Sequence, residues 1–458
     1  MKIYTDGFFS VDPKHGFLPI KEPLASLPEA YAALQALIDA MPIRKADNSP
    51  GLLAEERAFE KAALALPNYR EVVKGESDPF VLAALFRSYS FIASAYTLAP
   101  AHHHYIKTGK YGQAHAVLPK NIAQAFVAVA EKLDVFPWLD YHYAYSLGNY
   151  QKRNKDEGFA WTNLSMAAKF SGMDDERGFI MLHVDINQYS PDLVKAVFGL
   201  KEEGVDENTT SSLQLMAATL HKMNARRKLM WEASRWKHYN DFRVFIMGVK
   251  GNLDIFPNGL LYEGVWEEPH AYRGQTGAQD NIIPTADIAS GVIHYYPENQ
   301  LTTYLMDLRQ YRPKCVQQFF QALTKAMEKN PLVERLAAEN NFDGMEHLMQ
   351  VYEEIYLFRN GHWQFVQKCI MQNTAYPKAT GGTPITSWIP NQIKAVLKAM
   401  HVLAAALAKS SRWDKAAWQE GFDRKVKLLN KQLALVAIDA FDPEEIFKLN
   451  LTHGLQDY

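Results

Sequence analysis

The run EIYLFRNGHWQFVQKCI, Glu354 to Ile370, puts Ile355, Phe358, Phe365, Val366 and Cys369 on one face with His362, at spacings of three and four residues. This is the period of an amphipathic α-helix. It recurs through most of the chain. Phe80 to Leu98 reads as a helix started by Asp78, and Leu118 to Leu133 as one with Pro119 in its first turn, where a missing N–H costs nothing. Further helical stretches are predicted at Phe179 to Ile186, Ser211 to Met247, Leu301 to Met327, Glu334 to Phe358, His362 to Met371, Asn391 to Leu407 and Trp413 to Ala437. Alternating patterns are scarce, with one short strand expected near Lys2 to Tyr4. The fold class is therefore mainly α.

The chain has 458 residues, 48% of them hydrophobic and 22% charged, enough apolar material for two or more core units. We expect a small N-terminal helical domain over residues 1–157 and a larger helical domain over 158–458, divided at the polar run QKRNKDEG, Gln151 to Gly158. The same run also fits a solvated loop inside one domain. Lys+Arg of 49 against Asp+Glu of 51 leaves a formal net charge of −2, which supplies no field for holding nucleic acid or anionic lipid. Phe80 to Leu98 approaches bilayer-spanning length but carries Arg87, Ser88 and Ser90 in mid-run, so it reads as a buried helix, and no membrane partner is expected. The opening MKIYTDGFFSVDPKHG lacks the basic-then-apolar plan of a secretory signal, and Cys315 and Cys369 are too few for a disulfide framework. A reducing, cytoplasmic compartment is the expectation. Two segments break the helical texture, glycine-dense Gly248 to Gly291 and Asn373 to Pro390. Irregular stretches of this length in a helical protein are where a site is expected.

The usual hydrolytic and metal signatures are absent. There is no GxSxG or HExxH, no two histidines stand four apart, and TGGT at Thr380 to Thr383 lacks the Lys-Ser/Thr of a phosphate loop. His102, His103 and His104 diverge on a helix, which fits a solvated or capping cluster better than an ion site. His362, on its oily face, suits either an axial haem ligand, with Gly361 leaving room for the edge of the macrocycle, or a hydrogen-bonded core histidine. His183, in RGFIMLHVDI, shares a face with Phe179 one turn earlier and fits a distal group above a metal or a core residue, while Asp185 projects elsewhere. Arg243, in DFRVFIMG, fits a clamp for a carboxylate or a structural ion pair.

Together these residues resemble the indoleamine 2,3-dioxygenase family, haem enzymes that open the indole ring of tryptophan with O2. LPKNIAQAFVAVAEKLDVFP resembles the segment leading into that family's distal pocket, and RGFIMLHV its distal helix. FRVFIMGVKGN, FPNGLLYEGVWEEP, YRGQTGAQDNIIPTAD and LTTYLMDLRQYRP then match in order and spacing. RNGHWQFVQKCI resembles the proximal-ligand helix and KATGGTPITSWI the mobile GTGGT loop, so that the similarity runs from about Leu118 to Ile389.

The resemblance implies haem b as cofactor, with His362 as its proximal iron ligand. It also implies Arg243 as the clamp for the substrate carboxylate and Thr380 as a contact to the amino-acid head group when its loop closes. Thr276, Gly277 and Ala278 would lie beside the haem propionates, Gly277 also against substrate, with Phe179 packing on the substrate ring. Asp287 and Arg359 match a polar pair supporting the ligand. Three positions depart from the animal enzymes. His183 stands where they have a small serine, closer to the distal histidine of tryptophan 2,3-dioxygenases. His238 stands where they have a phenylalanine, and the distal tyrosine falls at Tyr141 or His142, depending on a one-residue gap.

The activity so implied is dioxygenation of L-tryptophan or a related indole across C2=C3, with O2 and the indole as small-molecule partners and an N-formylkynurenine-type product. Arg243 and Thr380 would fix the head group, and His183 would accept the indole N–H or steady bound oxygen. Closure of the loop would exclude water. His183 and His238 motivate the alternative of a haem mono-oxygenase or dioxygenase acting on a different indole or aromatic amino acid. A non-catalytic O2-binding haem protein is the other class.

Overall fold

The computed structural model describes residues 2–200, 206–235, 238–298, 300–329, 331–368, 380, 385–435 and 440–443. Helices dominate, and the strands among these residues form three two-stranded ribbons. Tyr4–Thr5 pairs with Ser10–Val11, close to the predicted strand, and Val117–Leu118 runs parallel to Leu261–Tyr262.

Pro79–Thr108 is the central helix. The Asp78 carboxylate accepts from the N–H groups of Phe80 at 2.7 Å and Val81 at 3.4 Å, Pro79 fills the first turn, and left-handed Gly109 ends the helix. Among the described residues it is the one helix long and apolar enough to cross a membrane, and that apolar window is wholly buried inside the protein. Arg87 is 3% exposed within it and donates to Gly148 O at 2.8 Å and Leu24 O at 2.7 Å, which ties the N-terminal segment to the helix.

The polar run Gln151 to Gly158 turns back on itself. Tyr150–Lys152 pairs antiparallel with Leu164–Met166, and the Asn163 side-chain amide donates to Asn154 O and Gly158 O, both at 3.0 Å. One hydrophobic cluster draws on both sides of this hairpin, Phe91 stacking on Phe170 with centroids 4.4 Å apart.

Three predicted long helices are broken, Glu334 to Phe358 among them, interrupted between Leu332–Ala338 and Phe342–Val366. Ser211 to Met247 is Glu207–Arg227, then the short turns Met230–Ala233 and Asn240–Arg243. Leu301 to Met327 splits at Pro313, which pushes Arg312 into extended backbone and starts Lys314–Glu328. From Phe342 on, the predicted stretch joins the predicted His362 helix in one element, Phe342–Val366, which runs through Gly361. Its start is a turn at left-handed Asn340 and a cap at Asn341, which accepts from Gly344 N at 2.8 Å.

The histidine triplet corrects one expectation. His102 and His103 are 3% and 7% exposed, because the central helix is buried on nearly every side, and His102 packs on Phe245 at 4.7 Å; His104 alone reaches solvent. Burial holds His102 down to about 4 and His142 to about 3. The unfolded chain takes up these protons near pH 6.5 and the native one does not, so stability is lost as pH falls below about 6.5, by about 1.4 kcal/mol per histidine per pH unit. Urea midpoints at pH 7.5 and 5 are expected to show this loss, and His102→Phe to reduce its slope.

Candidate active site

A cavity opens among the helices Asp174–Asn187, Glu207–Arg227, Phe342–Val366 and Ile385–Leu407 and the turn before Ile282–Ser290. Its walls are largely apolar, with Phe179, Ile186, Trp231, Leu305, Phe358 and Val366 among them.

His362 lies on this wall between Phe358 and Phe365, as the helical period requires, with Ile355 buried in the layer behind. Cys369 falls outside the described residues. Burial holds the His362 imidazole down to about 4, with the charge of Arg227 and the nearness of His183 acting in the same direction. At neutral pH it is uncharged, and it makes no hydrogen bond to a described residue. Gly361 also lines the cavity. A Cβ there would lie 2.1 Å from an Arg227 guanidinium nitrogen, so the glycine makes room for Arg227, which also lines the cavity.

His183 projects into the same cavity from Asp174–Asn187, with the Phe179 ring edge-on at 5.8 Å. Its Nδ1 lies 3.2 Å from the Tyr141 hydroxyl, which donates to Asp280 Oδ2 at 2.7 Å; Asn187 donates to the same oxygen at 2.8 Å. Of the two candidates for the distal tyrosine position, Tyr141 therefore reaches His183, while buried His142 turns to Asn281 Oδ1 at 3.1 Å. Asp185 does project elsewhere, binding Arg226 through both oxygens at 2.7 and 2.6 Å.

Thr276, Gly277 and Ala278 line the cavity on a turn that Arg312 holds from behind. This fully buried arginine donates to Asn281 Oδ1, Ala278 O and Asp280 O at 3.0 to 3.1 Å. Thr380 meets the turn from the other side, donating to Gln275 O at 2.6 Å and accepting from Gly248 N at 2.9 Å. The chain crosses itself here. A Cβ on Gly274 would lie 2.2 Å from Gly248 N and 2.6 Å from Ile246 O, so only glycine allows the approach. Gly274→Ala is expected to cost about 1–3 kcal/mol in urea unfolding through overpacking. Gly421→Ala, in a helix with nothing within 4 Å, is expected to gain up to about 1 kcal/mol.

Asp287 and Arg359 meet as the resemblance implies, with Arg359 Nη2 donating to Asp287 Oδ2 at 2.5 Å, and both line the cavity. The Tyr296 hydroxyl donates to the same oxygen, and Arg359 also donates to Gln392 O at 2.9 Å. Burial raises the Asp287 carboxyl above the usual range, against the pull of Arg359 and Tyr296.

Three predicted residues are not brought to the described cavity wall: Tyr141 is fully buried behind His183, and Arg243 and His238 lie elsewhere. Arg243 is 0% exposed but lies beside Tyr111, whose phenol is pushed up by burial and drawn back by the guanidinium. His238 sits at the surface, paired with Asp241 at 3.0 Å. The stretch Asn373 to Pro390 falls outside the described residues except for Thr380 and residues 385–390, where a helix has already begun. Sequence reasoning missed Asp280, Asn187, Arg227 and Arg312.

The site is thus a largely apolar cavity inside a helical shell, with two histidines, His183 and His362, on its wall. The family model described as indoleamine 2,3-dioxygenase matches residues 6–409, and the chain belongs to that family. Indoleamine 2,3-dioxygenase 1 of Rattus norvegicus is 26% identical over 260 residues, which cover 56% of this chain and 63% of the rat protein. An indoleamine 2,3-dioxygenase of Aspergillus candidus is 27% identical over 336 residues, 69% of this chain and 76% of the relative. A myoglobin of Haliotis madaka is 34% identical over 95 residues, 21% of this chain and 24% of the relative. The alignment to the rat protein thus spans less than two thirds of that protein's length.

Proposed function

We propose that the protein is a haem-dependent dioxygenase of the reducing cytoplasm. It inserts both atoms of O2 across the C2=C3 bond of an indole, L-tryptophan first among substrates, to give an N-formylkynurenine-type product. The observation that carries this reading is the uncharged His362 imidazole, without a described partner, on an apolar cavity wall that His183 shares, in a chain of this family.

The residues fit a haem b. Flat apolar side chains suit the macrocycle, the His362 lone pair suits its iron, and Arg359, Arg227 and the Thr276–Ala278 turn offer donors for its carboxylates. The likeness to a protein named myoglobin agrees with haem binding. When bound, the haem supplies a centre that takes up and activates O2. The protein's own work is positioning. His362 anchors the cofactor, with Asp287 and Arg359 steadying its helix. Phe179 and Ile186 keep water from the ring, and His183 faces the substrate. The larger unit, residues 158–458, carries all of these, and Tyr141 reaches in from residues 1–157. Arg243 and Thr380 take the carboxylate and ammonium of the substrate, Arg243 turning from Tyr111 and Thr380 from Gln275 as it enters.

The test is turnover under labelled oxygen by the haem-loaded full chain, with tryptophan, its D-isomer and substituted indoles. Two labelled atoms in a formylkynurenine product are expected. One labelled atom would make the enzyme a mono-oxygenase, and O2 uptake and release without product from any indole would make it an oxygen carrier. Arg243→Leu is expected to lower kcat/KM by about 2 kcal/mol of lost charge-assisted hydrogen bonding. An unchanged kcat/KM would leave Arg243 a structural residue beside Tyr111.

A further inference from the structure

We infer that Asp280, acting through Tyr141, fixes His183 in the tautomer that presents an unprotonated Nε2 to the cavity, so that the site selects ring systems carrying an N–H. The inference deepens the indole reading and rests on it for the identity of the ligand, but the tautomer follows from hydrogen bonds alone.

The Asp280 carboxylate only accepts. Its Oδ1 takes the Ile282 N–H at 2.8 Å, and its Oδ2 takes the Tyr141 O–H at 2.7 Å and the Asn187 amide at 2.8 Å. The single proton of Tyr141 is thereby committed, and its oxygen can only accept from His183 Nδ1, 3.2 Å away. A neutral imidazole carries one N–H, so Nδ1 holds it and Nε2 keeps its lone pair. Burial lowers the His183 pKa against the pull of Asp280, which keeps the ring neutral at pH 7.

The rest of the network holds this arrangement still. Arg312 donates to Asp280 O at 3.0 Å and to Asn281 Oδ1 at 3.0 Å, which fixes the turn bearing the carboxylate. Asn187 also donates to His183 O at 2.9 Å, which locks its amide between the two residues. Nε2 has no partner among the described residues, and the ring lines the cavity with its Cε1 toward Gly277, where a Cβ would stand at 3.5 Å. Of the two roles open to His183 in the sequence, accepting an indole N–H or steadying bound oxygen, an acceptor nitrogen can serve only the first.

The experiment is nitrogen NMR of the 15N-histidine-labelled full chain in its diamagnetic ferrous carbonyl form, or haem-free should it take up no haem, with the His183 signals identified by their loss in His183→Gln. Wild type is expected to show Nδ1 protonated. Tyr141→Phe and Asp280→Leu are expected to move the proton to Nε2, the first by removing the acceptor and the second by freeing the Tyr141 hydroxyl to donate. In the same samples, wild type is expected to bind tryptophan about tenfold more tightly than 1-methyltryptophan, and both variants to bind the two alike. An unprotonated Nδ1 in wild type, an unmoved proton in both variants, or equal wild-type binding of the two ligands would overturn the inference. The expected tautomer and binding preference in a protein that turns over no indole would leave it standing and overturn the dioxygenase reading instead.

Discussion

His362→Ala is expected to leave a folded protein that no longer retains haem, with affinity down at least about a hundredfold, since losing even a hydrogen-bond partner of a metal ligand costs ten- to a hundredfold. The side chain is only partly enclosed and makes no hydrogen bond to a described residue, so its loss leaves no buried donor or acceptor stranded. Circular dichroism and the urea midpoint should stay near those of haem-free wild type while the haem absorbance disappears. His183→Ala is the control, because its ring shares the cavity but is tied to Tyr141; that variant is expected to keep its haem. The pH response adds a second reading. With the free imidazole held down to about 4, protons do not compete for His362 across the physiological range, so haem lost in acid above about pH 5 should follow unfolding rather than precede it. Haem held as tightly by His362→Ala as by the parent would end the ligand assignment.

What the sequence discloses here is what lies within a turn or two of itself. The His362 face and the Phe179–His183 pair are both local patterns at spacings of three and four, and both survive into the cavity wall. The break between Arg227 and Asn240 follows no proline or glycine; it is made by packing, where a Cβ on Gly178 would lie 1.8 Å from Ala233 O and Asp175 takes the Arg235 N–H at 2.8 Å. The Pro313 break had a local sign, but the apolar period running through it concealed the signal. Arg312 reads like a surface arginine until the Ala278–Asn281 turn folds onto it, and Tyr141, His183, Asn187 and Asp280 come from three separate stretches of chain. The burial of His102 has the same origin. A helix apolar on all sides carries its polar residues inside with it, which pairwise spacing does not reveal.

Asp287→Leu is expected to be among the most destabilising single changes in this protein, costing about 3–5 kcal/mol, because it strands the Arg359 guanidinium in a buried site. Arg359 would keep Gln392 O at 2.9 Å and the Tyr296 hydroxyl at 3.2 Å, but no described carboxylate would balance its charge. Tyr296 would lose the acceptor of its own O–H in the same step. The pair is not for that reason stabilising in itself. Desolvation raises the Asp287 carboxyl despite Arg359, a sign that burying these charges is costly, and replacing both partners by apolar side chains removes that cost. The double variant Asp287→Leu with Arg359→Met is therefore expected to recover most of the lost urea stability. A single variant within 1 kcal/mol of wild type, or a double no better than the single, would contradict this account. Haem affinity separates the two roles of the pair. Arg359 stands one turn before His362 on the same helix, so if the pair also sets the aim of the imidazole, the double variant regains stability while haem binding stays weakened by about tenfold or more.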